Sequence, residues 1–214
     1  MTALATSAPA ITSVTLEAPE PAAAAAFYAH AFGWGDAVGV RASDASTAGF
    51  RGFTLSLVVA QPITVDSLAG TAVEGGATVL KPVAKSFWGY GGVVQAPDGT
   101  IVKIASSSKR DTGPFTRQID DIVLLLGAAN VKVSKQFYVE HGLGVARSYG
   151  SKYVEFDSHG SRVKLALYSR RAAAKDAGVD ADGSGSHRLV IAGPSGPFTD
   201  PDGFVWEAAS AGWG

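Results

Sequence analysis

Apolar and polar positions alternate over Ile11-Thr12-Ser13-Val14-Thr15-Leu16, and this two-residue period with β-branched residues predicts a half-buried strand. A second apolar run, Ile119-Asp120-Asp121-Ile122-Val123-Leu124, predicts another. Pro19-Glu20-Pro21 leads into five alanines, Ala22 to Ala26; alanine is the best helix former, and proline is tolerated in a first turn. Asn130 is a good N-cap for a helix that sets Val133 and Phe137 on one face. Gly33 and Gly142 end these two helices. A further helix is predicted from Asp66 to Glu74, stopped by Gly75-Gly76, and another over Arg170 to Ala177. Strands are predicted at Phe53 to Val59, Tyr153 to Phe156, Arg162 to Tyr168 and His187 to Ile191. The glycine-rich stretch Asp180 to Gly185 reads as a flexible loop.

Three features recur in the same order. Each half begins with one of the two strands above. Phe27-Tyr28 followed by Gly33 returns as Phe137-Tyr138 followed by Gly142 and Gly144. Ala96-Pro97-Asp98-Gly99-Thr100-Ile101-Val102-Lys103 returns as Asp200-Pro201-Asp202-Gly203-Phe204-Val205-Trp206-Glu207. The offsets are 108, 110 and 104 residues, so small insertions alone separate the copies. A duplicated chain follows, and such repeats set the architecture. Residues 1–10 read as a flexible tail, 11–105 as the first module, the polar stretch 106–118 as a linker, and 119–210 as the second module.

Composition removes several alternatives. With no cysteine among 214 residues there is no disulfide framework, thiolate metal site or cysteine nucleophile. A net charge of −1 gives no basic field for nucleic acid. No apolar run reaches the roughly 18 residues that a membrane helix needs, and the start lacks the pattern of a secretory signal. The expectation is a cytoplasmic protein that binds neither nucleic acid nor membrane, as monomer or homodimer.

Strand, Phe-Tyr helix, further strands and Pro-Asp-Gly before a last strand resemble the glyoxalase/bleomycin-resistance/extradiol-dioxygenase (vicinal oxygen chelate) superfamily, and the resemblance covers nearly all of residues 11–209. It implies an α+β fold of two βαβββ-type modules in tandem, their curled mixed sheets enclosing a shared cleft. It also implies metal ligands on the first strand of each module, usually His or Gln, and on the strand after Pro-Asp-Gly, usually Glu. Carried over by position, those places fall on Ser13, Asp121, Lys103 and Glu207. A serine hydroxyl is a poor ligand and a lysine ammonium has no lone pair. A divalent metal is therefore disfavoured and no cofactor is expected, although an Asp/Glu pair with waters suits Mg²⁺ or Mn²⁺.

Asp121 and Glu207 are the acid/base candidates, because two carboxylates in different surroundings split their pKa values; alternatively they pair with Lys103 and hold the modules in register. Ser13, Lys103, Trp88, Tyr90 and His187 are the candidate ligand contacts. The aromatic loop Phe87-Trp88-Gly89-Tyr90 forms either a wall of the site or a packing loop. His187 opens a strand expected to line the cleft, whereas His30 and His141 sit at helix ends, where a cation is favoured. His159 belongs to a hairpin turn, and Arg162 and Lys164 alternate with Val163 and Leu165 as a solvated sheet face. The expected function is binding of a small, largely apolar organic molecule without the usual metal, by sequestration or metal-independent acid/base chemistry. The alternative is a metal-dependent lyase, isomerase or dioxygenase.

Overall fold

The computed structural model describes residues 11–209; the expected tail, residues 1–10, lies outside them. The architecture is α+β, with the strands of both halves interleaved between two mixed sheets. In chain order the elements of the first half are β1 (Ser13–Ala18), α1 (Pro21–Ala31), β2 (Val38–Ala42), β3 (Thr47–Gly49), β4 (Phe53–Val58), α2 (Pro62–Glu74), β5 (Thr78–Ser86), β6 (Gly89–Gln95) and β7 (Ile101–Ser106). The second half supplies β8 (Asp121–Ala128), α3 (Val131–Glu140), β9 (Val145–Tyr149), β10 (Tyr153–Phe156), β11 (Val163–Ser169), α4 (Arg170–Ala177), β12 (Gly183–Gly185), β13 (Leu189–Gly193), β14 (Phe198–Thr199) and β15 (Val205–Ala208).

The eight-stranded sheet has the order β5-β6-β7-β4-β8-β11-β10-β9. It joins two complete βαβββ units, residues 53–106 and 121–169, through the antiparallel pair β4/β8. Within each unit the first and last strands are parallel neighbours, β4 with β7 and β8 with β11. The five-stranded sheet, β14-β15-β13-β1-β2, joins two reduced units, β1-α1-β2 and β13-β14-β15. The segments that cross from one sheet to the other meet in the ribbon β3/β12. The stretch expected to be a flexible loop is thereby a paired strand. Its glycines permit the approach, since a Cβ at Gly183 would stand 2.2 Å from the Phe50 carbonyl oxygen.

Alternate residues of both sheets bury themselves in one core. Val14, Leu16, Ile191 and Trp206 come from the five-stranded sheet, and Leu55, Leu57, Leu124, Val154 and Phe156 from the eight-stranded one. The helices are fixed as their sequences require. Asn130 accepts from the amides of Lys132 and Val133, and Ser169 accepts from that of Ala172. Proline opens α1 and α2, the latter starting at Pro62, four residues before the expected Asp66.

The repeated Phe-Tyr and Pro-Asp-Gly motifs meet in space. Tyr28 of α1 donates to Asp98 at 2.8 Å, and Tyr138 of α3 donates to Asp200 at 2.6 Å. Asp200 also accepts from the amides of Asp202 and Phe204. Burial first, and then the neighbouring aspartate, hold both tyrosine hydroxyls well above their ordinary pKa, so both donate as neutral phenols. Each lock joins a helix on one sheet to a turn that feeds the other.

Candidate functional site

Each half gives four strands to the eight-stranded sheet, so its outer face, turned away from the core, is the surface to which both halves contribute, although the two sheets do not enclose the expected cleft between them. Pairing sets the rows of that face. Val93, Lys103, Ser56, Val123 and Lys164 stand side by side on β6, β7, β4, β8 and β11. The next row runs Gly91, Ala105, Val58, Asp121. Helix α4 turns back from β11 over the other end of the face. Ala173, Ala174 and Ala177 pack there with Phe50, Val93 and Ile101 as a second, smaller core. Lys81 reaches over to donate to the carbonyls of Lys175 and Asp176, both at 2.7 Å, which satisfies the end of α4.

Asp121 borders the part that α4 leaves free. Its carboxylate pairs with Lys164 at 2.7 Å. Beside it lies a groove of about 350 Å³, walled by Phe32, Trp34, Ala37 and Ile119. Arg117 and Arg162 also line it, with Asp120. Local structure explains the wall: α1 ends at Ala31, Gly33 takes a positive φ of 61°, and the chain turns so that Trp34 stacks on Tyr28 at 4.6 Å. Arg117 is tied back to Ser67, Thr71 and the Ala31 carbonyl. Arg162 makes none of the hydrogen bonds or ion pairs found among the described residues. The groove is thus apolar on one side and cationic at its edge, a constitution common in small-molecule sites.

The four places carried over for metal ligands do not form one site. Lys103 and Asp121 lie on the eight-stranded sheet, while Ser13 and Glu207 lie on the five-stranded sheet, one strand apart, each opposite Ala192. The expected pairing of Lys103 with Asp121 or Glu207 is corrected: Lys103 donates to Asp176 of α4 at 2.6 Å, and Glu207 takes Arg41 at 2.9 Å. Arg41 also holds Glu17, and the Glu207 bond is the first cause of its raised pKa. The reason is topological. The strand after each Pro-Asp-Gly turn joins a different sheet, and α4 brings its own carboxylate to Lys103.

The remaining candidates disperse as well. Trp88 stands 84% exposed at the tip of the β5–β6 hairpin beside an equally exposed Phe87. Tyr90 faces the opposite side of its sheet and donates to Asp66 of α2 at 2.7 Å, the first cause of its raised pKa. His187 lies flat on Phe204 at 4.0 Å with its ring nitrogens at the carbonyls of Arg51 and Asp202, a packing position. His141 caps α3 and stacks on Phe137, and His159 pairs with Asp157 in its turn.

Phe32 and Trp34 are absent from the sequence expectations, and Arg162 and Lys164 figure there only as a solvated sheet face. The signal for the lysine and arginine was present in their alternation with Val163 and Leu165, which puts both on the outer face with Asp121. Trp34 carried no signal beyond its place after a helix stop.

A divalent ion does not suit the residues present. The rows nearest Asp121 offer two ammonium groups, a serine hydroxyl and aliphatic side chains, and lysine has no lone pair for a metal while protonated. Asp121 and Asp176 are each already bound to a lysine. Among the described residues no three of His, Cys, Asp or Glu come together in a metal-holding group.

No family model and no curated protein matches the chain. Similar solved structures exist. One variant of glyoxalase I from Zea mays aligns with a TM-score of 0.57 at 15% identity, over 92% of this chain and 91% of that one. A second variant of the same enzyme gives 0.59 at 14%, over 94% and 93%. A putative dioxygenase from Bacillus subtilis subsp. subtilis str. 168 gives 0.57 at 13%, over 88% and 71%. The chain therefore has the glyoxalase-type, vicinal oxygen chelate fold. Many chemistries share such a fold, so activity has to be argued from the site.

Proposed function

We propose that the protein binds a small, largely apolar organic molecule in the groove beside Asp121, without a metal, and sequesters it. The observation that supports this most is the groove itself: aromatic and aliphatic walls next to a place where the donor set is lysine, serine and an already paired aspartate. Ile119 and the exposed edge of Trp34 supply the apolar contact, at roughly 25 cal/mol per Å² removed from water. Asp121, held in place by Lys164, orients a polar group of the ligand and, with Asp120 beside it, is a carboxylate within reach for proton transfer. Glu207 belongs to the opposite outer face and takes no part.

The test combines a metal titration with a probe. Calorimetry with Fe²⁺, Mn²⁺, Ni²⁺ and Zn²⁺ is expected to give no stoichiometric binding. Indole, as an apolar probe, is expected to shift the backbone amides of residues 32–37 and 118–122 saturably, with and without a chelator. One equivalent of metal, lost in Asp121→Ala, would overturn the reading.

A further inference from the structure

Resting on that reading of the groove, we infer that its ligand is an organic acid: an apolar body bearing a carboxylate or similar anion, clamped by Arg162 with Lys164 beside it. The groove holds two guanidinium groups and two aspartates, with Lys164 at its border. These charges are not equally free. Arg117 spends its guanidinium on Ser67, Thr71 and the Ala31 carbonyl. Asp121 is neutralised by Lys164, and the exposed Asp120 has only the Gln118 side-chain amide, at 3.5 Å. Arg162 is left with its whole donor fork open to the groove, and Lys164 uses one of three ammonium donors on Asp121.

A guanidinium fork matches a carboxylate with two parallel hydrogen bonds. Neutral polar groups gain less there, because they bring no charge to the pair. The surroundings point the same way. The outer face continues from Lys164 to Lys103 and Lys81, with Lys103 already paired to Asp176 of α4, so Arg162 is the cation that its neighbours leave open. The apolar lining open to a ligand is Ile119 and the edge of Trp34, so the apolar body lies along these with its acid at Arg162.

The probes are phenylacetate and its neutral isostere phenylacetamide, each titrated into the full-length protein and followed by backbone amide shifts. Phenylacetate is expected to move the amides of residues 118–122 and 162–164 and to bind at least tenfold more tightly than the amide. Arg162→Gln, a surface substitution, is expected to remove that preference; Arg162→Lys and Lys164→Gln are each expected to keep part of it. Equal affinities for the two probes, or a preference unchanged in Arg162→Gln, would refute the acid clamp and leave apolar binding in the groove standing. Shifts from neither probe at these amides would sink both.

Discussion

The two sheets turn their inner faces to one core, but their outer faces differ. The eight-stranded sheet is built from two complete βαβββ units, and α4 covers part of its outer face with a small core of its own. The five-stranded sheet is built from two reduced units and presents Ser13, Arg41 and Glu207 to solvent, with Glu17 half-buried among them. One face is lysine-rich and bordered by an apolar groove; the other carries two glutamates around a single arginine. The difference teaches that the inward pattern is common to both sheets, whereas the outward residues follow what covers them: α4 on one face and solvent on the other.

The largest expected effect comes from breaking the tie between the sheets. In Asp200→Ala the buried Tyr138 hydroxyl and the amides of Asp202 and Phe204 lose their acceptor. A cost of about 3 kcal/mol or more is expected, since buried donors left without partners carry their full desolvation penalty. Asp98→Ala, at the half-buried first lock, is expected to cost less; denaturant unfolding of the two variants checks the order. A pH series sharpens it. Tyr138 has a folded pKa raised by burial and by Asp200, so its contribution is complete below its unfolded value of about 10 and is lost as pH climbs beyond. Tyr138→Phe is expected to start from lower stability and fall less steeply above pH 10. An unchanged slope would mean that this lock does not set alkaline stability.

These locks also show what the sequence made legible. The duplicated strand, helix and turn motifs fixed the α+β class and most element positions, because alternation, caps and turn residues act locally. Asn130 caps its helix, and Gly33 and Gly142 take the positive φ that ends theirs, as their types require. The assignment of strands to sheets was not legible. It depends on β4 pairing with β8 and β1 with β13, contacts between residues far apart in the chain. The candidate site suffered for that reason: Asp121 is in it, whereas Glu207 and Ser13 followed their strands to the other sheet. Alternation puts Arg162 on the outer face, but its meeting with Trp34 arises only in three dimensions.

A smaller effect tests the cover on the eight-stranded sheet. A Cβ on Gly127 would stand 2.9 Å from the Gly52 carbonyl oxygen and 3.1 Å from the Arg170 Cα. Gly127→Ala must push α4 away from its strand, at a cost of about 1–3 kcal/mol. Hydrogen exchange should quicken at Ala173 to Ala177 and stay unchanged in α3. The matched change on the bare face is Gly39→Ala, where the nearest side-chain atom, the Thr15 hydroxyl oxygen, would be at an ordinary 3.7 Å. There the expected effect is within about 0.5 kcal/mol. Equal losses at the two glycines would erase the contrast between a covered and an open face.

The smallest effects concern one ion pair on each outer face, Lys103–Asp176 and Arg41–Glu207. Their side chains are 35% and 42% exposed in the first pair and 44% and 50% in the second. Pairs so open to water contribute about 0–1 kcal/mol, and salt reduces that further. For Asp176→Asn two terms oppose each other. The attraction to Lys103 is lost, but a negative charge is also removed from the last turn of α4, where the helix dipole disfavours it. For Glu207→Gln the arginine still has Glu17 at 2.8 Å, so little changes. Both variants are expected to unfold within about 0.5 kcal/mol of the parent protein, with the differences shrinking in 1 M salt. A loss above about 1 kcal/mol in Glu207→Gln would mean that the Glu17–Arg41–Glu207 chain braces the five-stranded sheet. The open face would then be maintained by its charges, and its divergence from the covered face would have to be read as a structural solution of its own.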